Sequence, residues 1–350
     1  MENQQQAEKR DRINVFSGFQ NDIISKVVLK EKYWTWRDLW MLSFVSKKTY
    51  QLCNLVFNHF CRDISFGNSI LTPEVQNLVP FETFWKQPQF QYVDLPKIPE
   101  EYKGLEEQRQ GCWCAGDCRR TTGCPCVLLN QEASMDAPTG PGKLWSGHPA
   151  FECHDGCCCK LEECSLRCSQ QPFQHSLYLS WENGKGVGVR TFKEISEGAF
   201  ICEYVGEIIS TNELGRRRAA DYDLKGSNYV LSLVETIPSS QRILKTHIDA
   251  TKYGNVSRFF NHSCSPSMRM VSTRRGSILP RVLFYSSKKI APHEELTFNY
   301  SSTENEPPVN DRKSSFSVDD ELQNQHGGTV CLCGAPDGQC GRFLPAISKA

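Results

Sequence analysis

No stretch of the chain holds the ~20 consecutive apolar residues that a membrane helix needs. The opening residues, MENQQQAEKRDR, lack the apolar centre of a secretory signal. These two absences predict an intracellular protein with no membrane partner. Neither sign of charge is in excess, since Lys+Arg and Asp+Glu each total 40. That balance argues against a broad basic face for phosphate backbones, and no direct nucleic-acid binding is expected. The one arginine run, Arg216–Arg218, reads as the solvated face of a short helix over Asn212–Asp223.

Cysteine is what the chain has in excess. There are 18, and 11 of them fall between Cys112 and Cys168. Without a secretory signal, metal thiolates are favoured over disulfides. The first block is Cys112, Cys114, Cys118, Cys124 and Cys126. The second is Cys153, Cys157, Cys158, Cys159, Cys164 and Cys168. Reduced structural cysteines without metal are the alternative. A third group, Cys331, Cys333 and Cys340, stands near the C-terminus.

The 350 residues suit two or three domains. Residues 1–12 read as disordered. Residues 13–60 read as helical, with Ile23, Ile24, Val27 and Val28 forming one apolar stripe. Residues 61–108 carry prolines 73, 80, 88, 96 and 99 and read as a connector that wraps the next region. From Trp181 to Tyr300, short β-forming runs with glycine punctuation predict a mainly β fold. Residues 301–328 are polar and read as a flexible linker.

Two stretches carry the chemistry. One is Ile248–Cys264, IDATKYGNVSRFFNHSC, and the other is Glu295-Leu-Thr-Phe-Asn-Tyr300. Arg-Phe-Phe-Asn-His-Ser-Cys followed by Leu-Thr-Phe-Asn-Tyr resembles the core of SET-domain protein lysine methyltransferases. The flanking cysteine blocks resemble the pre-SET and post-SET modules of the histone H3 lysine-9 branch. The resemblance covers roughly residues 105–350. It implies a pre-SET zinc cluster at 109–170, a SET domain at 171–300 and a post-SET module at 329–350. The implied fold is mainly β, a β-clip of short strands with a pseudoknot that threads Asn261-His262 through a loop closed by Phe298–Tyr300.

The same resemblance implies site residues. S-adenosylmethionine is expected against Lys185, Gly186, Val187, Tyr229, Arg258, Asn261 and His262, with Phe343 or Leu344 covering its adenine. Tyr300 is expected to orient the reacting methyl, and Tyr204 and Phe298 to line a lysine channel. Phe at 298 leaves room for added methyls, so di- or trimethylation is expected. Three zinc ions are expected on Cys112, Cys114, Cys118, Cys124, Cys126, Cys153, Cys157, Cys159 and Cys164, with Cys158 and Cys168 surplus. Three bridging thiolates make nine sulfurs serve twelve tetrahedral positions. A fourth zinc is expected on Cys264, Cys331, Cys333 and Cys340.

This chain departs from the family pattern at several places. Val187 stands where many members have an aromatic residue, Asn299 replaces a common Asp, and Ser267 replaces a common Asn. Cys159 to Cys164 is one residue longer than usual, and Cys333 to Cys340 is also longer. Residues Phe19 to Lys47 resemble an F-box, without the usual Leu-Pro opening, and imply a ubiquitin-ligase scaffold partner. The expected activity is methylation of the histone H3 tail in the nucleus, on chromatin. An F-box/SET adaptor with weak or no activity, and a methyltransferase of a non-histone protein, stay open.

Overall fold

The structure is a computed structural model. It describes residues 44, 47, 50–51, 53, 64–65, 76–79, 90–100, 102, 110–133, 150–171, 173–219, 229–237, 242–300, 330–335, 340 and 344. The expectations for residues 1–12 and 301–328 lie outside these, as does Phe343. Of the F-box-like segment, only residues 44, 47, 50–51 and 53 are described, and Lys47, Tyr50, Gln51 and Cys53 are helical.

The connector supplies two short strands, β1 (Gln76–Asn77) and β2 (Gln91–Tyr92). The cysteine-rich region adds helix α1 (Pro125–Ala133) and strand β3 (Ala150–Glu152). Then come β4 (Leu177–Glu182), β5 (Gly186–Thr191), β6 (Phe200–Glu203) and β7 (Glu207–Ile209). Helix α2 (Thr211–Arg217) separates these from β8 (Val230–Ile237) and β9 (Arg242–Asp249). The remainder is β10 (Tyr253–Gly254), β11 (Asn261–His262), β12 (Met268–Arg275), β13 (Pro280–Ser286) and β14 (Thr297–Phe298).

These strands make five small sheets, ordered β1-β4-β5, β10-β2, β11-β14, β3-β12-β13-β6 and β7-β9-β8. The connector is stitched into the β region, since β1 pairs parallel with β4 and β2 parallel with β10. Its prolines exclude long helices but not edge strands of two residues. Strand β3 likewise ties the cysteine-rich region to β12.

The first cysteine block carries a helix that was not anticipated: α1 begins at Pro125, between Cys124 and Cys126. Proline suits that first helical position, where its missing N–H would be unpaired anyway. Helix α2 opens at Thr211, one residue before the Asn212–Asp223 expectation, of which residues 220–223 lie outside the described residues; its arginines are not simply solvated. Ser210 caps it by accepting from the Glu213 N–H at 3.2 Å. Arg217 turns inward and pairs with Glu207, Glu213 and the fully buried Asp249, each at 2.7 Å.

The core of the β region is aliphatic and aromatic. Leu177, Leu179, Ile195, Ile201, Ile248, Met268, Phe284 and Ile290 are among its fully buried side chains. The cysteine-rich region has a different centre: nine buried cysteines and Leu166 stand where aliphatic residues would otherwise pack.

Candidate active site and metal centres

Strands β11 and β14 pair in parallel, with Asn261 opposite Thr297 and His262 opposite Phe298. The two chemistry-bearing stretches therefore meet, side chain against side chain. The Tyr300 N–H donates to His262 Nδ1 at 3.1 Å. Its hydroxyl turns inward and donates to the Phe260 carbonyl at 2.9 Å, while the residue as a whole is half-exposed. The Phe298 ring sits 4.8 Å from the Tyr300 ring and 4.8 Å from that of Phe284. Phe260 meets Phe284 edge-on at 5.2 Å. The Tyr204 hydroxyl donates to the Tyr229 carbonyl at 2.7 Å. Tyr300, Phe298 and Tyr204 thus converge on one aromatic cluster.

Burial sets the protonation states. It holds the Tyr300 phenol above its usual value, helped by Tyr229 and Glu295. The Tyr204 hydroxyl is raised by burial and by Tyr300. Both are neutral hydrogen-bond donors near pH 7. Burial, with Lys185 nearby, pushes His262 down to about 4. Because Nδ1 accepts from Tyr300, Nε2 carries the proton of the neutral ring. Nε2 lies 3.2 Å from Cys264 Sγ and donates to it.

The β4–β5 turn forms another wall. Gly186 has φ +87°, a region that favours glycine. The Val187 side chain is buried in the core, so what it offers a ligand is backbone. Its carbonyl accepts from Asn261 Nδ2 at 3.4 Å. The same amide donates to Glu295 Oε1 at 2.9 Å, and Glu295 Oε2 accepts from Lys185 Nζ. Glu295 opens the second of the two chemistry-bearing stretches but was given no role there. A side chain at Gly188 would lie 2.9 Å from Asn261 Nδ2 and 3.0 Å from Glu295 Oε1, so the strand needs glycine there.

Arg258, expected against the cofactor, is buried. Its guanidinium lies over the rings of Tyr229 at 4.0 Å and Phe90 at 4.1 Å, and Nε donates to the Ala250 carbonyl. Burial draws it down to about 10, so it stays charged near neutrality. Ser267 receives the Thr297 N–H at 3.0 Å and donates to the Glu295 carbonyl at 3.0 Å, which fixes the start of β14. Leu344 is half-buried.

The cysteines gather as metal ligands would. Tetrahedral zinc with Zn–S ~2.3 Å sets sulfurs ~3.8 Å apart. Here Cys112–Cys118 is 3.5 Å, Cys118–Cys153 3.6 Å, Cys126–Cys157 3.8 Å and Cys153–Cys164 3.9 Å. Three four-sulfur groups form: Cys112 with 114, 118 and 124; with 126, 153 and 157; and with 118, 153 and 159. Cys118 and Cys153 each recur in two groups, as bridging thiolates do, and Cys112 recurs in all three. Cys164 belongs to none of these groups but reaches Cys153. Cys158 and Cys168 are exposed. Arg167 Nε donates to Cys159 Sγ at 3.4 Å, and the N–H groups of Cys112 and His154 donate to Cys157, which suits anionic sulfur. A separate group, Cys264, Cys331, Cys333 and Cys340, has all four sulfurs within 4.8 Å of one another. Both donor sets fit zinc.

Residues 67–167 match the Pre-SET motif, and residues 186–301 match the SET domain. The chain is a SET-domain protein. Human histone-lysine N-methyltransferase SUV39H2 is 34% identical over 253 residues, 70% of this chain and 57% of the relative. Human SETMAR, of the same designation, is 33% identical over 245 residues, 68% of this chain and 34% of the relative. The SET-domain protein thus spans between a third and about three-fifths of these curated relatives. Among solved structures, the methyltransferase domain of human SETMAR superposes with a TM-score of 0.61 at 27% identity, covering 81% of this chain and 97% of that one. KRYPTONITE in complex with mCHH DNA, H3(1-15) peptide and SAH gives 0.59 at 25% identity, over 81% and 54%.

Proposed function

We propose that this SET-domain protein is an S-adenosylmethionine-dependent lysine methyltransferase that acts on the histone H3 tail at lysine 9 and adds two or three methyls. One observation carries the reading: the parallel pairing of Asn261-His262 with Thr297-Phe298, which presses Tyr300 against His262 within an aromatic cluster. The relatives named histone-lysine N-methyltransferases, and the neighbour solved with an H3 peptide, supply the substrate class. A histone substrate gives nucleus and chromatin as the site of action.

S-adenosylmethionine, when bound, supplies an electrophilic methyl on a sulfonium. The rest is the chain's own work. Lys185, the backbone of Gly186 and Val187, Tyr229, Asn261 and His262 hold the cofactor. Tyr204 and Phe298 wall the path of the incoming lysine. That amine has a reference pKa of ~10.4, so about one part in a thousand is nucleophilic near neutrality. An apolar wall beside a cation lowers its pKa and frees more of it. Tyr300 fixes the line of approach, and such alignment is worth up to ~7–11 kcal/mol. The nine pre-SET thiolates hold three zinc ions and the C-terminal four hold one, all closed sites that stabilise the fold and activate no water.

Radiolabelled methyl transfer tests the reading with whole histones, an H3 tail peptide, and the same peptide with alanine at position 9. Label in the first two and not the third is expected. Label only on non-histone protein, or none at all, would reject the histone assignment.

A further inference from the structure

Glu295 lies where three segments far apart in the sequence come together. Its two carboxylate oxygens are divided between two partners. Oε2 accepts from Lys185 Nζ, 110 positions away, and Oε1 accepts from Asn261 Nδ2 at 2.9 Å, 34 positions away. The Glu295 and Lys185 side chains are only 13% and 18% exposed. Both Glu295 oxygens accept here, and the Val187 carbonyl can only accept. The Asn261 amide therefore turns its NH2 towards both acceptors, and Oδ1 is left as its accepting face. Lys185 in turn has three N–H donors and gives one to Glu295.

The strand beneath is shaped to allow this. A Cβ on Gly188 would stand 2.6 Å from Glu182 Cγ, 2.9 Å from Asn261 Nδ2 and 3.0 Å from Glu295 Oε1. Only a strand residue without a side chain leaves Asn261 and Glu295 room to meet. Behind β14, the Ser267 hydroxyl holds the Glu295 carbonyl at 3.0 Å, so the backbone that carries the carboxylate is tethered too.

We propose that Glu295 is a positioning residue: its carboxylate sets the Asn261 carbonyl and the Lys185 ammonium side by side, as a matched receptor for a ligand end bearing both an ammonium and a carboxylate. The ligand ammonium meets Asn261 Oδ1, and the ligand carboxylate meets Lys185. This rests on the S-adenosylmethionine reading, whose methionyl end has that pair of charges. Glu295 touches neither the reacting methyl nor the lysine.

Calorimetry on the full, zinc-loaded chain tests it with two probes. S-adenosylhomocysteine has the amino-acid end; 5′-methylthioadenosine keeps the adenosine and the thioether but lacks that end. Glu295→Ala is expected to weaken S-adenosylhomocysteine about tenfold or more, as removal of hydrogen bonds to a charged group does, and to leave methylthioadenosine unchanged. Glu295→Gln keeps an acceptor for Asn261 but loses the ion pair, and is expected to fall between. Zinc content and melting temperature are read on each protein. An unchanged preference between the two probes in Glu295→Ala overturns the proposal. If Glu295→Ala loses zinc or unfolds, Glu295→Gln decides: selective weakening of S-adenosylhomocysteine supports the assignment, and wild-type affinity overturns it. A wild-type chain that binds neither probe removes the cofactor reading itself, and the proposal with it.

Discussion

Phe298 is the residue whose single missing atom decides most. It is 7% exposed and packs between Phe284 and Tyr300. On the proposal that Phe298 lines the lysine channel, a hydroxyl on that ring would crowd the amine and hold a water there. Phe298→Tyr is therefore expected to shift the product towards monomethyl-lysine, read by mass spectrometry of an H3 peptide. An unchanged product distribution would refute the role. The stretches Asn-His-Ser-Cys and Leu-Thr-Phe-Asn-Tyr stood out in the chain by their resemblance to the SET family, and the fold pairs them. Glu295 did not. It opens the second stretch with no role assigned to it, and its partners lie 110 and 34 positions away. Only the fold brings them together. Arg217 was misread for the same reason: its acidic partner Asp249 comes from a strand 32 positions away.

At the scale of elements, His247 couples three of them. It sits on β9, 3% exposed, with Nε2 3.1 Å from the Thr211 hydroxyl of α2 and Nδ1 2.8 Å from the Ser232 hydroxyl of β8. Burial lowers its pKa, and Arg218 and Lys245 press the same way. The unfolded chain, with an ordinary histidine near ~6.5, takes up a proton first as pH falls. Stability present above that value is lost below it. The denaturant midpoint is expected to drop between about pH 7.5 and 5.5, and His247→Gln to flatten part of that drop. Equal slopes in both proteins would count against it. The short strands were visible as β-forming runs between glycines. Their partners were not, since β1 and β2 hold two residues each and owe their form to β4 and β10. Helix α1 was hidden because proline inside a Cys-Pro-Cys run reads as a breaker until the helix start is seen.

Among the described residues, the large apolar core of the β region and the buried cysteine cluster are joined by the β3–β12 pairing. The cysteine cluster has little apolar area, so metal bound there would supply folding free energy. Four zinc ions per chain are expected by elemental analysis. Slow removal with a strong chelator is expected to lower the melting temperature and expose thiols; a chain that keeps its melting temperature after losing zinc would contradict this. The C-terminal thiolates couple to the active site, because His262 joins Cys264 to the Tyr300 backbone. Leu332, between two of those cysteines, also rests on the turn at Gly184, where an added Cβ would come within 2.5 Å of it. The clustering of cysteines was legible in their spacing; which sulfurs recur between groups was not, since that depends on how Cys112 and Cys153, 41 positions apart, approach each other.

The central claim is that Tyr300 aligns the methyl transfer without holding the cofactor. Single-turnover transfer to an H3 peptide, measured on wild type and Tyr300→Phe together with S-adenosylhomocysteine affinity, tests it most directly. The account predicts unchanged affinity and a rate about a hundredfold lower or more, the scale on which one placed hydroxyl acts. Transfer at the wild-type rate by Tyr300→Phe would contradict it.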